Sequence, residues 1–476
     1  MFFSSFLFLF WFLPAALLLY FGLAPLLSRI FCGGDLTARR RVQNGMLLFL
    51  GIFFYAFSSP RYLFLLLGTA LFDYLVGLRL AVSHHRRALF FTALTVQLSP
   101  LLFFKYAPAA LHLAGGYLAA LILPLGISFY TFSAISYLAD VAFRDLTPEK
   151  NPLHLFLYLT MPFQIASGPI TRYGTLAPQF SARSTDAEKI AAGARRFLAG
   201  LAKKLILANP MGTLFTTLIG GSAALAALDA WLALLAFSLQ LYFDFSGYTD
   251  MALGLAAIFG FSLPENFNYP YTATSFTDFW RRWHITLSSF FRDYVYFPLG
   301  GSRVGAWRCI FNLFAVWSLT GLWHGSTLNF LLWGLYYFLG LLLEKRVLGR
   351  FIARLPTALR RALTLLGVAF GWLIFAFDGS TPARSLAAVG SFLSSLLFLN
   401  GARAAGSLYQ LFRHLPLLLF CCLGATPLPH RLWQRAASGG KASKAVALLL
   451  LPLLSFLLSL AYLSSASFTS FLYFRF

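Results

Sequence analysis

Charge is scarce in this chain of 476 residues: only 11% is charged, and just 15 residues are Asp or Glu. An average soluble domain carries about 25% charge, so a soluble globular fold is excluded first. Four cysteines, Cys32, Cys309, Cys421 and Cys422, show neither metal-ligand spacing nor a disulfide framework. Alternation of apolar and polar residues is lacking, which argues against a membrane β-barrel. No internal repeat of the transporter kind is visible, and no soluble domain or long linker. What is present is apolar: 59% hydrophobic residues, among them 54 Phe, 21 Tyr and 10 Trp, which exclude disorder. Continuous apolar runs recur from end to end, and each run of about 20 residues is enough for a transmembrane helix. The composition predicts an all-α polytopic membrane protein, read as one membrane domain over residues 1–476 with roughly ten to twelve spanning helices.

The net charge is +22, from 37 Lys and Arg against 15 Asp and Glu. Because the basic residues cluster between apolar runs, they point to cytoplasmic loops facing anionic lipid and not to nucleic acid. Met1 to Ile30 has no basic segment before it and is too long for a signal-peptide core, so it is expected to be the first membrane helix. Arg39-Arg40-Arg41 follows it, and His84-His85-Arg86-Arg87 closes the third run. With basic loops inside, the N-terminus lies outside. Lys441 and Lys444 precede the last run, so the C-terminus is predicted outside as well, and the number of full crossings is even. A basic stretch from Arg172 to Lys204 is expected to be cytoplasmic.

Four places carry candidate chemistry. His324 lies in Leu319-Thr-Gly-Leu-Trp-His-Gly-Ser-Thr-Leu-Asn329, inside an uncharged run from Ile310 to Leu343. As one helix that run would be about 50 Å long, against a hydrocarbon core about 30 Å thick. It must tilt steeply or break, and Gly321 and Gly325 are the natural places. An imidazole at such depth is a candidate base for a hydroxyl proton, and its bland alternative is a hydrogen bond to a neighbouring helix. Asp278 to Asp293 reads as an interfacial or re-entrant helix, with Trp280 beneath His284 and Asp278 paired with Arg281 or Arg282. His284 is a second polar group of a reaction centre, and Arg281 and Arg282 are candidate ligands for donor phosphates; lipid headgroups are the alternative partners for these arginines. Asp244 and Asp250 are six residues apart, about 240° around a helix, so they are expected to pair separately with basic residues and not to form an acid–base couple. The ending Phe471-Leu-Tyr-Phe-Arg-Phe476 reads as a docking peptide or an interfacial aromatic anchor. No metal site is expected.

Taken together these motifs resemble the membrane-bound O-acyltransferase (MBOAT) family, in the branch that O-acetylates alginate, other polysaccharides or peptidoglycan. The resemblance is carried by Leu102-Phe-Phe-Lys-Tyr106, Pro124-Leu-Gly-Ile-Ser-Phe-Tyr-Thr-Phe132, Ser136-Tyr-Leu-Ala-Asp140 and Ser167-Gly-Pro-Ile-Thr-Arg172. It continues through Tyr242-Phe-Asp-Phe-Ser-Gly-Tyr-Thr-Asp250, Phe279-Trp-Arg-Arg-Trp-His284, Tyr296-Phe-Pro-Leu-Gly-Gly301 and Gly321-Leu-Trp-His-Gly325. It covers a core of about 55–344, with the aromatic motif 471–476 added, and little of 345–444.

The resemblance implies a helical bundle with a central funnel or tunnel, in which outer and inner passages meet at the catalytic His324, with His284 as the second histidine. It implies a bacterial inner-membrane location and no permanently bound cofactor. Acetyl-CoA, or another acyl thioester, is the expected donor substrate, and a periplasmic or surface acetyltransferase- or esterase-like protein is the expected partner. The lipid bilayer and a glycan acceptor complete the set of partners. By analogy with an aromatic terminus in teichoic acid D-alanylation, Tyr473 is a candidate acyl relay. D-alanyl transfer is the alternative within the enzyme class; a transporter or a non-enzymatic scaffold is the alternative outside it.

Overall fold

The computed structural model describes residues 1–113, 123–220, 225–377 and 382–465. Tyr473 and the motif 471–476 lie outside the described residues. Among those residues the chain is helical with no strand. Among the described residues seven helices are long and apolar enough to cross a membrane: Phe8–Cys32, Pro60–Val82, Arg86–Ala107, Ala227–Ile258, Thr357–Ala376, Ser407–Gly424 and Lys441–Ser465. This is fewer than the ten to twelve expected from run length. The uncharged run 310–343, for example, is divided between Ala306–His324 and Leu328–Leu343, neither of which is among the seven.

The described residues form two compact units. The first comprises Met1–Gly200 and Tyr248–Glu265, the second Leu201–Gly247 and Asn266–Phe476. In the first unit, part of the basic stretch expected in a cytoplasmic loop is folded inward. Arg183 is buried; its Nη1 donates to Asn44 Oδ1 at 2.7 Å, its Nε to the Tyr20 hydroxyl at 2.9 Å, and its guanidinium lies 4.5 Å from the Phe261 ring. Tyr20 in turn donates to the Phe259 carbonyl at 2.8 Å. Arg196 reaches Asp250 at 3.0 Å and Glu265 at 2.6 Å. A buried charge persists only with such partners, so Arg183 holds helices together where a free loop charge would meet solvent or lipid, whereas Arg196 is only half-buried.

In the second unit the carboxylate of Asp244 meets Lys204 Nζ at 2.5 Å, both side chains being almost wholly buried. Asp244 and Asp250 therefore serve different cations, as their angular separation predicts. The short helix Phe276–Trp280 is capped twice. The Ser275 hydroxyl accepts from the Asp278 amide at 3.0 Å, and Asp278 Oδ2 accepts from the Thr274 amide at 3.2 Å. The Glu344 carboxylate also accepts from the amides of Phe276 and Thr277 at 2.6 and 3.2 Å. Negative charge at a helix N-terminus is favourable, which ties this helix to the end of Leu328–Leu343.

Candidate functional site

The uncharged run 310–343 breaks after His324. The helix Ala306–His324 ends there, Gly325 is extended (φ −171°, ψ 170°), and Leu328–Leu343 begins three residues later. Of the two glycines expected to offer the break, only Gly325 does. A Cβ on Gly325 would fall 2.1 Å from the Phe330 ring, so the turn closes against that side chain. Gly321 stays helical and serves packing: a Cβ there would fall 2.4 Å from the Phe330 carbonyl oxygen. The two helices consequently pack face to face with His324 at their junction.

His324 is only 3% exposed. Its ring centroid lies 4.7 Å from Trp323, 4.8 Å from Trp333, 5.2 Å from Phe375 and 6.3 Å from Phe330. Phe375 comes from the Thr357–Ala376 helix, which Asn329 anchors by donating to the carbonyls of Phe377 and Ile374. Trp280, Trp317, Tyr337 and Trp372 extend the same aromatic wall outward from Trp333. In this structure aromatic rings close around the imidazole.

His284 does not lie on one long helix with Asp278 and Asp293. Phe276–Trp280 ends, the chain turns, and Ile285–Phe291 begins with His284 at its N-cap in the left-handed region (φ 43°). The expected stacking of Trp280 beneath His284 is lost with the continuous helix. The polar segment after Pro264 causes the interruption. Asn268 N donates to the Arg282 carbonyl at 2.9 Å and Ile285 N to the Asn266 carbonyl at 3.0 Å, so 266–268 runs antiparallel to 282–285. A non-glycine residue held at positive φ costs roughly 1–3 kcal/mol and persists where its surroundings over-determine it.

Those surroundings also decide the tautomer of His284. Asn266 Oδ1 accepts from the Thr286 amide at 3.1 Å and from the Thr286 hydroxyl at 2.9 Å. A backbone amide can only donate, so this atom is the oxygen, and His284 Nδ1, 3.1 Å away, must donate to it. The lone pair of the neutral ring is then on Nε2. Burial pushes the imidazole down to about 3, so the ring stays neutral throughout the physiological range. Both histidines pack on Trp323, His284 at 6.2 Å and His324 at 4.7 Å between ring centroids.

Arg282 pairs with Asp278 at 2.7 Å, which selects it over Arg281, and lines a cavity of about 520 Å³. Arg361 and Arg431 line the same cavity with Thr272, Thr274 and Thr426. Arg281 is exposed and not among the lining residues, nor is either histidine. Asn266, Trp333, Arg361 and Arg431 were not singled out from the sequence. Arg361 and Arg431 fall in the stretch 345–444, where no motif was legible. Trp333 follows His324 by nine residues across a helix break that decouples them from simple helical spacing.

A family model described as MBOAT, membrane-bound O-acyltransferase family, matches residues 118–381, which include both histidines. The chain is 36% identical over 387 residues to the "Probable alginate O-acetylase AlgI" of Pseudomonas aeruginosa, covering 78% of this chain and 71% of that one. It is 34% identical to the protein of the same description from Pseudomonas putida, over the full length of both. Against the "Peptidoglycan O-acetyltransferase" of Helicobacter pylori identity is 32%, with 84% and 80% covered.

Proposed function

The chain belongs to the membrane-bound O-acyltransferase family, and from that premise we propose that it moves an acetyl group from cytoplasmic acetyl-CoA towards a hydroxyl of an extracytoplasmic polysaccharide or peptidoglycan. It is a multi-pass membrane enzyme of the O-acyltransferase class. The observation that carries the proposal is His324, an imidazole buried where the uncharged run 310–343 breaks, inside the matched region. His324 takes the proton of the attacking hydroxyl as its oxygen bonds to the thioester carbonyl carbon. The tetrahedral intermediate then collapses, the carbon–sulfur bond breaks, and the leaving thiolate takes the proton back from the imidazolium. His284, neutral and tethered to Asn266, is a positioning group: through the Nε2 lone pair it accepts a hydrogen bond and orients the acceptor hydroxyl.

The donor's phosphates suit the cavity walled by Arg282, Arg361 and Arg431, with Arg281 exposed beside it in the sequence. Guanidinium groups bind phosphate oxygens bidentately, and hydrogen bonds to charged groups contribute about 1.5–3 kcal/mol each. Arg361→Ala is accordingly expected to raise the KM for acetyl-CoA about tenfold or more, with kcat retained, because the contact is the same in ground and transition states. Initial-rate kinetics on the protein in proteoliposomes checks this; a fall in kcat at constant KM would place Arg361 elsewhere in the cycle.

Both termini outside, an inner-membrane location and a periplasmic or surface transferase partner belong to the same proposal. Tyr473 would carry the acyl group to that partner. Its free hydroxyl has an ordinary pKa of about 10, so it needs a base at neutral pH. The test of the whole reading uses radiolabelled acetyl-CoA supplied to the cytoplasmic side of proteoliposomes. Label is expected on the protein in wild type, and Tyr473→Phe should abolish that label while leaving the fold intact. Labelling of Tyr473→Phe equal to wild type would remove the relay. Absence of any acyl transfer from acetyl-CoA would remove the donor assignment.

A further inference from the structure

The tetrahedral intermediate of acyl transfer needs a hydrogen-bond donor for its oxyanion, and neither of the expected histidines is free to be one. His324 spends its chemistry on the proton of the attacking hydroxyl. His284 has a single N–H in its neutral form, and Asn266 Oδ1 takes it. A donor other than the two histidines must stand beside His324.

We propose that the indole N–H of Trp333 is that donor, so that Trp333 is a catalytic residue of the acyl-transfer step. The ring of Trp333 meets the ring of His324 edge to face, with centroids 4.8 Å apart and planes at 82°. Trp333 is only 1% exposed, and its Nε1 forms no hydrogen bond among the described residues. A buried N–H without a partner is destabilising, and indole N–H groups in packed interiors ordinarily find one. Trp280, Trp317, Tyr337, Trp372 and Phe375 pack around Trp333. The wall fixes the ring while its Nε1–H stays without an acceptor among the described residues, and a rigid, dehydrated donor is what stabilises charge that appears only in the transition state. As the hydroxyl oxygen bonds to the thioester carbon, the carbonyl oxygen becomes negative and accepts from Trp333 Nε1–H. When the carbon–sulfur bond breaks, the carbonyl re-forms and the hydrogen bond weakens. No proton leaves the indole at any point.

The inference rests on the acyl-transfer reading, so the test must separate the two. Full-length protein carrying β-(3-benzothienyl)alanine at position 333, which keeps the bicyclic shape and replaces N–H by sulfur, is assayed with radiolabelled acetyl-CoA in proteoliposomes beside wild type, Trp333→Phe and His324→Ala. Removing one oxyanion donor lowers kcat by about 10²–10³-fold, and the KM for acetyl-CoA stays at its wild-type value. Trp333→Phe should show at least the same loss of kcat. A residue of merely structural importance would lower the thermal midpoint of Trp333→Phe and leave kcat of the isostere untouched. If His324→Ala is inactive while the isostere turns over at the wild-type rate, or loses only KM, the Trp333 assignment is overturned and the acyl-transfer reading stands. If His324→Ala turns over like wild type, or wild type transfers no acetyl group, the reading itself falls and takes the donor with it.

Discussion

Replacing His324 by alanine is expected to cut acyl transfer by about 10²–10⁴-fold, the usual worth of a positioned general base. The reason lies in where the ring is held. His324 closes the Ala306–His324 helix, and Trp323, Trp333, Phe330 and Phe375 fix its plane. An acceptor hydroxyl is a weak nucleophile at neutral pH, and no other imidazole packs against Trp333 and Phe375 among the described residues. His284 cannot stand in, because burial makes its imidazole too weak a base and its left-handed backbone fixes it at another junction. The variant should still insert into the membrane and remain monodisperse in detergent, since the helices long and apolar enough to span the bilayer lie outside this junction. Single-turnover transfer from acetyl-CoA measures the effect. A variant with wild-type turnover would show that the buried imidazole is a packing residue.

The largest effect on stability is expected at Lys204 and Asp244. Their 2.5 Å contact is almost wholly buried and joins the Lys203–Ala208 stretch, of wider turn than an α-helix, to the Ala227–Ile258 helix. Removing one partner leaves the other charge buried and uncompensated, which costs roughly 3–5 kcal/mol. Asp244→Ala should therefore lose most monodisperse protein and lower the midpoint of thermal unfolding in detergent. Lys204→Met combined with Asp244→Leu removes both charges together and should recover much of that loss, because the desolvation cost disappears with them. The comparison of single and double variants by fluorescence-detected size exclusion decides the matter. A single variant as stable as wild type would mean that the pair is not buried in the membrane-embedded protein. Asp244 also adjoins Phe245, whose ring lies 4.8 Å from His284, so damage here is expected to reach the site.

The membrane class, the break in the run 310–343 and the separate partners of Asp244 and Asp250 were legible in the sequence. Each follows from counting: residues per ångström of helix against bilayer thickness, or degrees per residue around one helix. Family membership was legible for a different reason, the coincidence of several short motifs along one chain. The pairing of Asp278 with Arg282 was half legible, since spacing allowed Arg281 as well and only the turn after Trp280 decided between them. Counting failed where neighbours intervene. The stretch 278–293 has helical spacing throughout, yet Asn266 and Asn268 pull its middle out of the helix by backbone hydrogen bonds that no local pattern announces. Burial of Arg183 and Lys204 was hidden likewise, because their partners Asn44 and Asp244 are 139 and 40 residues away.

By itself the amino-acid sequence determined that this chain must live in a bilayer, which family it resembles and which histidine is the prime candidate, since these depend on composition, run length and adjacent residues. Only the tertiary structure decided which glycine breaks the helix, which nitrogen of His284 carries its proton, that Trp333 is the indole against His324, and that Arg361 and Arg431 join Arg282 around one cavity. Those outcomes depend on contacts between segments far apart in the chain. Such contacts are set by packing and by the need of each buried polar group for a partner, and neither is written in the local order of residues.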